Sequence, residues 1–372
     1  SHGWQEAIYE PIDMRDVPIL PVRDAHGGEL RISVEMESRR VHARIWRVQV
    51  GRVPLFLMDT DVPENEPWDR ELSARLYSGD SEMRIRQEIM LGIGGVRLLR
   101  VLGYDPAVLH MNEGHSAFLL LESIREYVEG GMDFAGASEL VRSKSIFTTH
   151  TPVPAGHDAF SFHLIDKYFQ GYWGKLGIGR EAFLNLGHHR EPWGDAFNMT
   201  VLALHLGGQF NGVSKLHGEV SRDMWKHVWP SLPVDEVPIT SITNGIHVPG
   251  WTAGEMRHIF NKYLGADWEE HHDDPVLWER LADVPDEELW RVHTALKAKL
   301  MTYLRARARR SWVNGKCDPT EVLVGGTLLD PDALTIGFAR RFATYKRASL
   351  LFTDMDRLQQ ILLNMHRPVQ II

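Results

Sequence analysis

The chain has 372 residues, 43% hydrophobic and 24% charged, enough for two or three ordinary domains that each bury a sizeable core. Lys and Arg number 41 against 50 Asp and Glu, a formal charge of −9, so long-range attraction to nucleic acid or an anionic membrane is not expected, and no apolar run approaches the ~20 residues that cross a bilayer. The single cysteine, Cys317, excludes an internal disulfide framework and a multi-thiolate metal site, and fits a reducing cytosol.

Residues 30–36, 40–50 and 53–59 cluster β-branched side chains between Gly and polar breaks, which predicts an antiparallel meander at about 30–60. A helical stretch follows over 82–102. Short apolar strands then alternate with amphipathic helices: 108–111 and 117–128, then 145–149, then 199–206, with a further strand at 238–243. Strands followed by helices imply a parallel sheet with crossovers, an α/β fold. A long helix is predicted from the acidic start Asp286-Glu287-Glu288. Leu289, Val292, Leu296, Leu300 and Leu304 form its apolar stripe, and Arg305, Arg307, Arg309 and Arg310 lie at its end, so the charges suit the helix dipole. Asn314-Gly315 stops it, and Pro319 with Asp330-Pro331 marks the expected boundary between a domain at 1–330 and one opening at 331. Residues 367–372 read as a strand just beginning its sheet, so the chain is expected to end inside a domain.

Three loops follow strands at the carboxyl edge of such a sheet, where α/β proteins bind ligands. In the first, Asn112, Glu113 and His115 can hydrogen-bond hydroxyls, although Glu113 equally suits capping the next helix. The second, Thr149-His150-Thr151-Pro152-Val153-Pro154-Ala155-Gly156-His157-Asp158, delivers His150 at a strand end on a loop stiffened by two prolines. His150, His157 and Asp158 lack the spacing of a tetrahedral cluster, so no metal is expected. The third presents Asn244 before Gly245, with Trp251 available for stacking or for the core. A fourth stretch differs in charge. An apolar strand over 334–339 leads into Arg340 and Arg341, and a helix start near Thr344 carries Lys346. Guanidinium forks, an ammonium and a helix N-terminus together suit phosphate, against the plainer reading of a solvated basic helix start. The chain has no Gly-x-Gly-x-x-Gly, no Walker loop, no Gly-x-Ser-x-Gly and no zinc spacing. Glu113 and Asp158 are the loop carboxylates a glycoside hydrolase would need, and neither has such a context. Nineteen histidines and twelve tryptophans, with loops rich in Asn and Gly, suit neutral polar ligands such as sugars.

Taken in order, Asn112-Glu113-Gly114-His115, the run from Thr149 to Asp158, Thr243-Asn244-Gly245-Ile246 through Trp251, and Arg340-Arg341 with Tyr345-Lys346-Arg347 resemble the α-glucan (glycogen/maltodextrin) phosphorylases of the short bacterial and archaeal branch. The likeness extends over Ser78-Gly79-Asp80 to Gly94-Gly95 and over Asn211 to Glu219. It implies a GT-B arrangement of two Rossmann-like domains, here most of the N-terminal domain plus the first βαβ of the C-terminal one. The implied reaction is the retaining transfer of a glucosyl unit from α-1,4-glucan to inorganic phosphate, giving glucose 1-phosphate, with pyridoxal 5′-phosphate contributing its phosphate.

Carried over by motif, the resemblance implies Arg341 and Lys346 on the substrate phosphate and Arg340 at the cofactor phosphate. His150 and Asn244 would hold the glucosyl unit, chiefly its 6-hydroxyl. Asn112, Glu113, His115 and Asp158 would border the same sugar, and Trp251 would pack beside the cofactor. The Gly-Thr-Gly-Asn-Met-Lys type motif with the cofactor lysine, and the family's glycine-rich helix start, have no counterpart in these residues. The expectation is therefore an internal piece of a cytoplasmic enzyme, unable alone to hold the cofactor covalently or turn over, with homo-oligomerisation of the full-length protein left open. The alternatives are a nucleotide-sugar glucosyltransferase of the glycogen synthase kind and a non-catalytic glucan-binding module.

Overall fold

The computed structural model describes residues 12, 14, 17–75, 79–313, 329–340 and 346–372. It is mixed α/β with parallel sheets, as the alternation of strands and helices implies. Packing divides the chain between Asn244 and Gly245. The boundary expected at 330/331 falls inside the second unit, and Asn314-Gly315 and Pro319 lie outside the described residues.

In the first unit, β1 (Ile19–Pro21), β2 (Arg31–Met36), β3 (Arg39–Val50) and β4 (Val53–Asp59) form the expected antiparallel meander. Strand alternation decides its inner face: Ile32, Val34 and Met36 are buried together with Val41, Ala43 and Ile45, the pattern of a sheet covered on one side. Beyond the short helix α1 (Pro67–Arg70), the stretch expected as one helix is α2 (Ser81–Ile89), a π-helical segment at Met90–Gly94 and α3 (Gly95–Val101). Asp80 starts it by accepting from the Met83 N–H at 2.9 Å. At Gly92 a Cβ would fall 2.8 Å from both Leu119 N and Phe118 Cβ, so only glycine allows this close approach.

The parallel sheet follows. β5 (Leu109–Asn112) leads to α4 (Phe118–Glu129) and α5 (Phe134–Ser143), then to β6 (Ser145–Thr149). An insert joins β7 (Ala159–Ser161) to β8 (His188–Glu191) and β9 (Gly194–Asn198), with α6 (Phe162–Phe169) and α7 (Arg180–Asn185) within it. The chain then enters α8 (Met199–Leu206), β10 (Gln209–Gly212), α9 (Lys215–Trp225) and β11 (Ile239–Ser241). The strand order is β11-β10-β6-β5, all pairs parallel. Asn112 pairs with Thr148, Thr149 with Gly212 and Gly212 with Ser241, so the strands finish level and their following loops share one edge. Phe118, Phe169, Phe183 and Phe197 fill the core beneath, with ring centroids 4.8 Å apart for the first pair and 5.8 Å for the last. Each contributes roughly 2–3 kcal/mol by leaving water.

Buried Glu122 of α4 accepts from Arg97 Nε at 2.8 Å and Arg125 at 3.0 Å, and from the Tyr172 hydroxyl. Arg97 also reaches Ser33 O and Glu35. This network ties the meander to α4 and thereby fixes the β5–α4 turn.

In the second unit come α10 (Val248–Trp251), α11 (Gly254–Tyr263), α12 (Pro275–Glu279) and the expected long helix, α13 (Asp286–Val313). Its inward stripe follows the expected one only in part. Val292, Leu296 and Leu304 of that stripe are half-buried and Met301 is buried, whereas Leu289 and Leu300 are exposed; Lys297 and Arg305 on the inward side donate to Ala333 O and Leu329 O. β12 (Leu334–Ile336), α14 (Met355–Leu362) and β13 (Val369–Ile371) close the unit, the two strands pairing in parallel. β12 is shorter and more exposed than the strand expected over 334–339: Leu334 is 63% accessible.

Candidate functional site

Asn112 and Glu113 leave β5, and His150 and Thr151 leave β6, at the level edge of the parallel sheet. Glu113 adopts φ 65° and ψ 173°, a backbone region that is almost exclusive to glycine and costs a non-glycine residue about 1–3 kcal/mol. Its carboxylate explains why the conformation persists. Oε1 accepts from the His150 N–H at 2.5 Å and from the Thr151 hydroxyl at 2.8 Å, so the strained turn stitches one loop to the next. No side-chain cap bond is made to the following helix turn, which removes the capping alternative for Glu113. On the outer side, His150 Nε2 lies 3.2 Å from Asn112 Oδ1. An exposed imidazole and an exposed amide are thus held next to each other above the strand ends, a pair able to donate to and accept from hydroxyls.

Below this edge a charged cluster forms around His115. From α2, Arg84 and Glu88 stand one helical turn apart and point the same way. Asp158 arrives from the far end of the proline loop. His115 Nδ1 is 2.9 Å from Asp158 Oδ2 and 2.7 Å from Arg84 Nη2; Arg84 also donates to both Asp158 oxygens, at 3.2 and 3.0 Å. Protonated, Nδ1–H donates to Asp158; bare, Nδ1 accepts from Arg84. Glu88 is 1% exposed, and its Oε1 lies 3.2 Å from Arg84 Nε and 3.8 Å from His115 Nδ1. Burial pushes its carboxyl up to about 8. Hydrogen bonding to Asp158 and Glu88 holds the His115 imidazolium up to about 9. Burial opposes the charge on Asp158, but His115 and Arg84 outweigh it and keep the carboxyl well below its ordinary range. Ligand atoms of Glu88, His115 and Asp158 lie within 4.8 Å of one another, a spacing a metal could use, yet the Arg84 guanidinium rests on both carboxylates. His157, the other histidine of this loop, bonds Thr200 Oγ1 at 2.9 Å.

Of the residues singled out in the sequence, Asn112, Glu113, His115, His150 and Asp158 therefore meet along one stretch of the sheet edge. Asn244 follows β11 on the same edge, its N–H donating to Val213 O at 3.1 Å and its side chain exposed. Trp251, Arg340 and Lys346 belong to the second unit. Trp251 is not core there, being 85% accessible; Arg340 is exposed and Lys346 half-buried. Arg341 and the helix start near Thr344 lie outside the described residues. The sequence reading missed Arg84 and Glu88. The available signal was an i,i+4 charged pair on the side of the 82–102 helix that also carries Ile85 and Ile89.

No protein-family model matches this chain. Relatives do match it over its whole length, and several of them are named maltodextrin or glycogen phosphorylase. The maltodextrin phosphorylase of Thermococcus litoralis is 44% identical over 370 residues, which is 100% of this chain and 43% of that protein. The glycogen phosphorylase of Aquifex aeolicus is 41% identical over 370 residues, 53% of its own length, and that of Mycobacterium tuberculosis is 43% identical over 385 residues, 44% of its length. The resemblance carried by the loop motifs is thus borne out along the full chain, and the chain spans about half the length of the curated relatives it matches.

Proposed function

We propose that this chain is part of an α-1,4-glucan phosphorylase that moves a terminal glucosyl unit onto inorganic phosphate with retention, giving glucose 1-phosphate. One observation carries the reading: the residues that the phosphorylase motif assigns to the sugar are gathered by the fold at the carboxyl edge of a parallel sheet, in a chain similar to phosphorylases from end to end.

The residues assigned to the glucosyl unit through Asn244 all lie in the first unit. His150 and Asn112 form a neutral donor and acceptor pair for hydroxyls, Asn244 adds an amide, and His115 with Asp158 borders them. By the motif, Lys346 and Arg341 would hold the phosphate dianion and Arg340 the cofactor phosphate. Phosphorolysis passes through an oxocarbenium-like state, and a phosphate dianion fixed by cations both stabilises and attacks it, so no enzyme carboxylate is required. In keeping with this, Glu113 Oε1 and both Asp158 oxygens are already engaged in hydrogen bonds within the protein.

Pyridoxal 5′-phosphate fits what is present only at two points. The exposed Arg340 guanidinium suits its phosphate, and the exposed Trp251 indole suits the flat face of its ring. When bound, the cofactor would supply a second phosphate able to hold a proton beside the first. The overall arrangement belonging to this reading is GT-B, with residues 331–372 opening the second Rossmann-like domain; the parallel β12–α14–β13 unit supports it. A cytoplasmic location suits the lone cysteine.

The test supplies the full-length polypeptide carrying this sequence with maltodextrin and phosphate and, separately, with ADP- or UDP-glucose and a glucan primer. Glucose 1-phosphate from the first mixture and no chain extension in the second is the expected result. Extension from a nucleotide sugar would replace the proposal with a glucosyltransferase, and glucan retention on an affinity gel with neither reaction would replace it with a binding module.

A further inference from the structure

Among the described residues, Glu88 is a buried acid whose place the sugar site does not by itself explain. Its side chain is 1% exposed, Oε1 is paired with Arg84 Nε at 3.2 Å, and neither carboxyl oxygen reaches hydrogen-bond geometry among the described residues. Leaving a buried carboxyl unsatisfied normally costs about 1–3 kcal/mol or more, so its position calls for a return elsewhere. It is placed with care: α2 starts on the Asp80 cap, and the π-helical segment begins two residues after Glu88, a feature that often marks a functional site.

What Glu88 faces is His115. The charged and titratable groups around it are Arg84 from α2 itself, His115 from the turn after β5 and Asp158 from the loop after β6. Lys167 and Tyr168 of α6 instead engage Glu82, and Glu88 is left to the cluster. The His115 Nδ1 edge thereby faces the Asp158 carboxylate, the Glu88 carboxyl and a guanidinium. Its Nε2 makes no hydrogen bond among the described residues, and the ring is 31% exposed.

We propose that Glu88 is a positioning residue for the sugar site: as a second acidic partner behind Asp158, it keeps the Nδ1 edge of His115 turned into the cluster and protonated, so that the ring offers a glucosyl hydroxyl the charged Nε2–H of an imidazolium. Without Glu88, Nδ1 has only Asp158 as an acidic partner and a competing guanidinium 2.7 Å away, and the neutral bare-Nδ1 state bonded to Arg84 gains weight; its Nε2–H then donates without the positive charge and more weakly. The direction in which burial and the two carboxylates move Glu88 and His115 agrees with this. The sugar-binding half of the inference rests on the phosphorylase reading; the half concerning the imidazole does not.

The experiment compares wild type and Glu88→Gln in the full-length polypeptide by two readouts. Histidine-labelled NMR, with the His115 signals assigned through His115→Asn, follows the imidazole from pH 6 to 10. Wild-type His115 is expected to stay doubly protonated past pH 8, and Glu88→Gln to titrate lower by about one unit or more. Phosphorolysis is expected to show KM for maltodextrin raised roughly tenfold at pH 8 in the variant, narrowing at pH 6.5, with kcat changed far less. A merely structural Glu88 would lower thermal stability and leave both the His115 titration and the pH dependence of KM as they are in wild type; that outcome overturns the proposal. If the variant does not fold, wild type alone decides: His115 titrating near an ordinary histidine overturns it. If wild type folds but makes no glucose 1-phosphate, the functional reading fails while the NMR result still judges the role of Glu88.

Discussion

Glu113 shows how far a single residue departs from its sequence reading. Its identity as a polar loop residue after a strand was legible, but its job was not, because the glycine-like φ and the bonds to His150 and Thr151 join residues 37 and 38 positions apart. Glu113→Ala removes the oxygen that accepts both bonds while leaving the turn to relax. The expected cost is about 2 kcal/mol, read as a lower urea midpoint, with a raised KM for glucan as the His150 loop loosens. A variant as stable as wild type would mean that the stitch contributes nothing. The His115 cluster sets a pH dependence at the same scale. Glu88 loses its proton near 4.5 when unfolded and near 8 when folded, so the folded state binds the extra proton between them and stability declines as pH rises through that window. His115 is raised from 6.5 to about 9, so its contribution is complete below 6.5 and is lost on the way to 9. Asp158 acts in acid, with its contribution present above its unfolded value of 3.8 and lost as pH falls below it. The urea midpoint should therefore fall between pH 6.5 and 9, and Glu88→Gln should flatten that slope. A midpoint that rises over the interval would contradict the assignment.

At the scale of elements, strong periodicity was readable and short or context-dependent pieces were not. The meander appears where β-branched residues alternate, and β6 and β11 appear where apolar runs meet loop residues. β1 ends in a proline after three residues, and β10 reads Gln-Phe-Asn-Gly, a central strand that owes its state to its two neighbours rather than to propensity. The π-helical segment was invisible for a similar reason: it is the crossing at Phe118 and Leu119 that demands Gly92. Gly92→Ala would force a methyl into that contact and should destabilise the protein by about 1–3 kcal/mol, measured by chemical denaturation. A neutral effect would show that the helices can separate without penalty. The apolar stripe of α13 was located on the correct helix but holds only in part: Met301 is buried and Lys297 and Arg305 are tethered on the inward side, whereas Leu289 and Leu300 are exposed.

At the scale of the whole molecule, the four motifs were enough to find the phosphorylase likeness, because each pairs a strand end with rare side chains in a fixed order. The division of packing at Asn244/Gly245 was not readable: sequence punctuation pointed to the proline-rich stretch near 330, whereas contacts decide where a unit ends. If Lys346 holds substrate phosphate as proposed, Lys346→Ala is expected to lower kcat/KM for phosphate by roughly a hundredfold or more while leaving glucan affinity within a few fold. Equal losses for both substrates would point to misfolding instead. The most direct measurement is 31P NMR of the full-length polypeptide with maltodextrin, inorganic phosphate and pyridoxal 5′-phosphate. Conversion of the phosphate signal to α-glucose 1-phosphate is the expected result; an unchanged phosphate signal, or the β anomer, would contradict a retaining glucan phosphorylase.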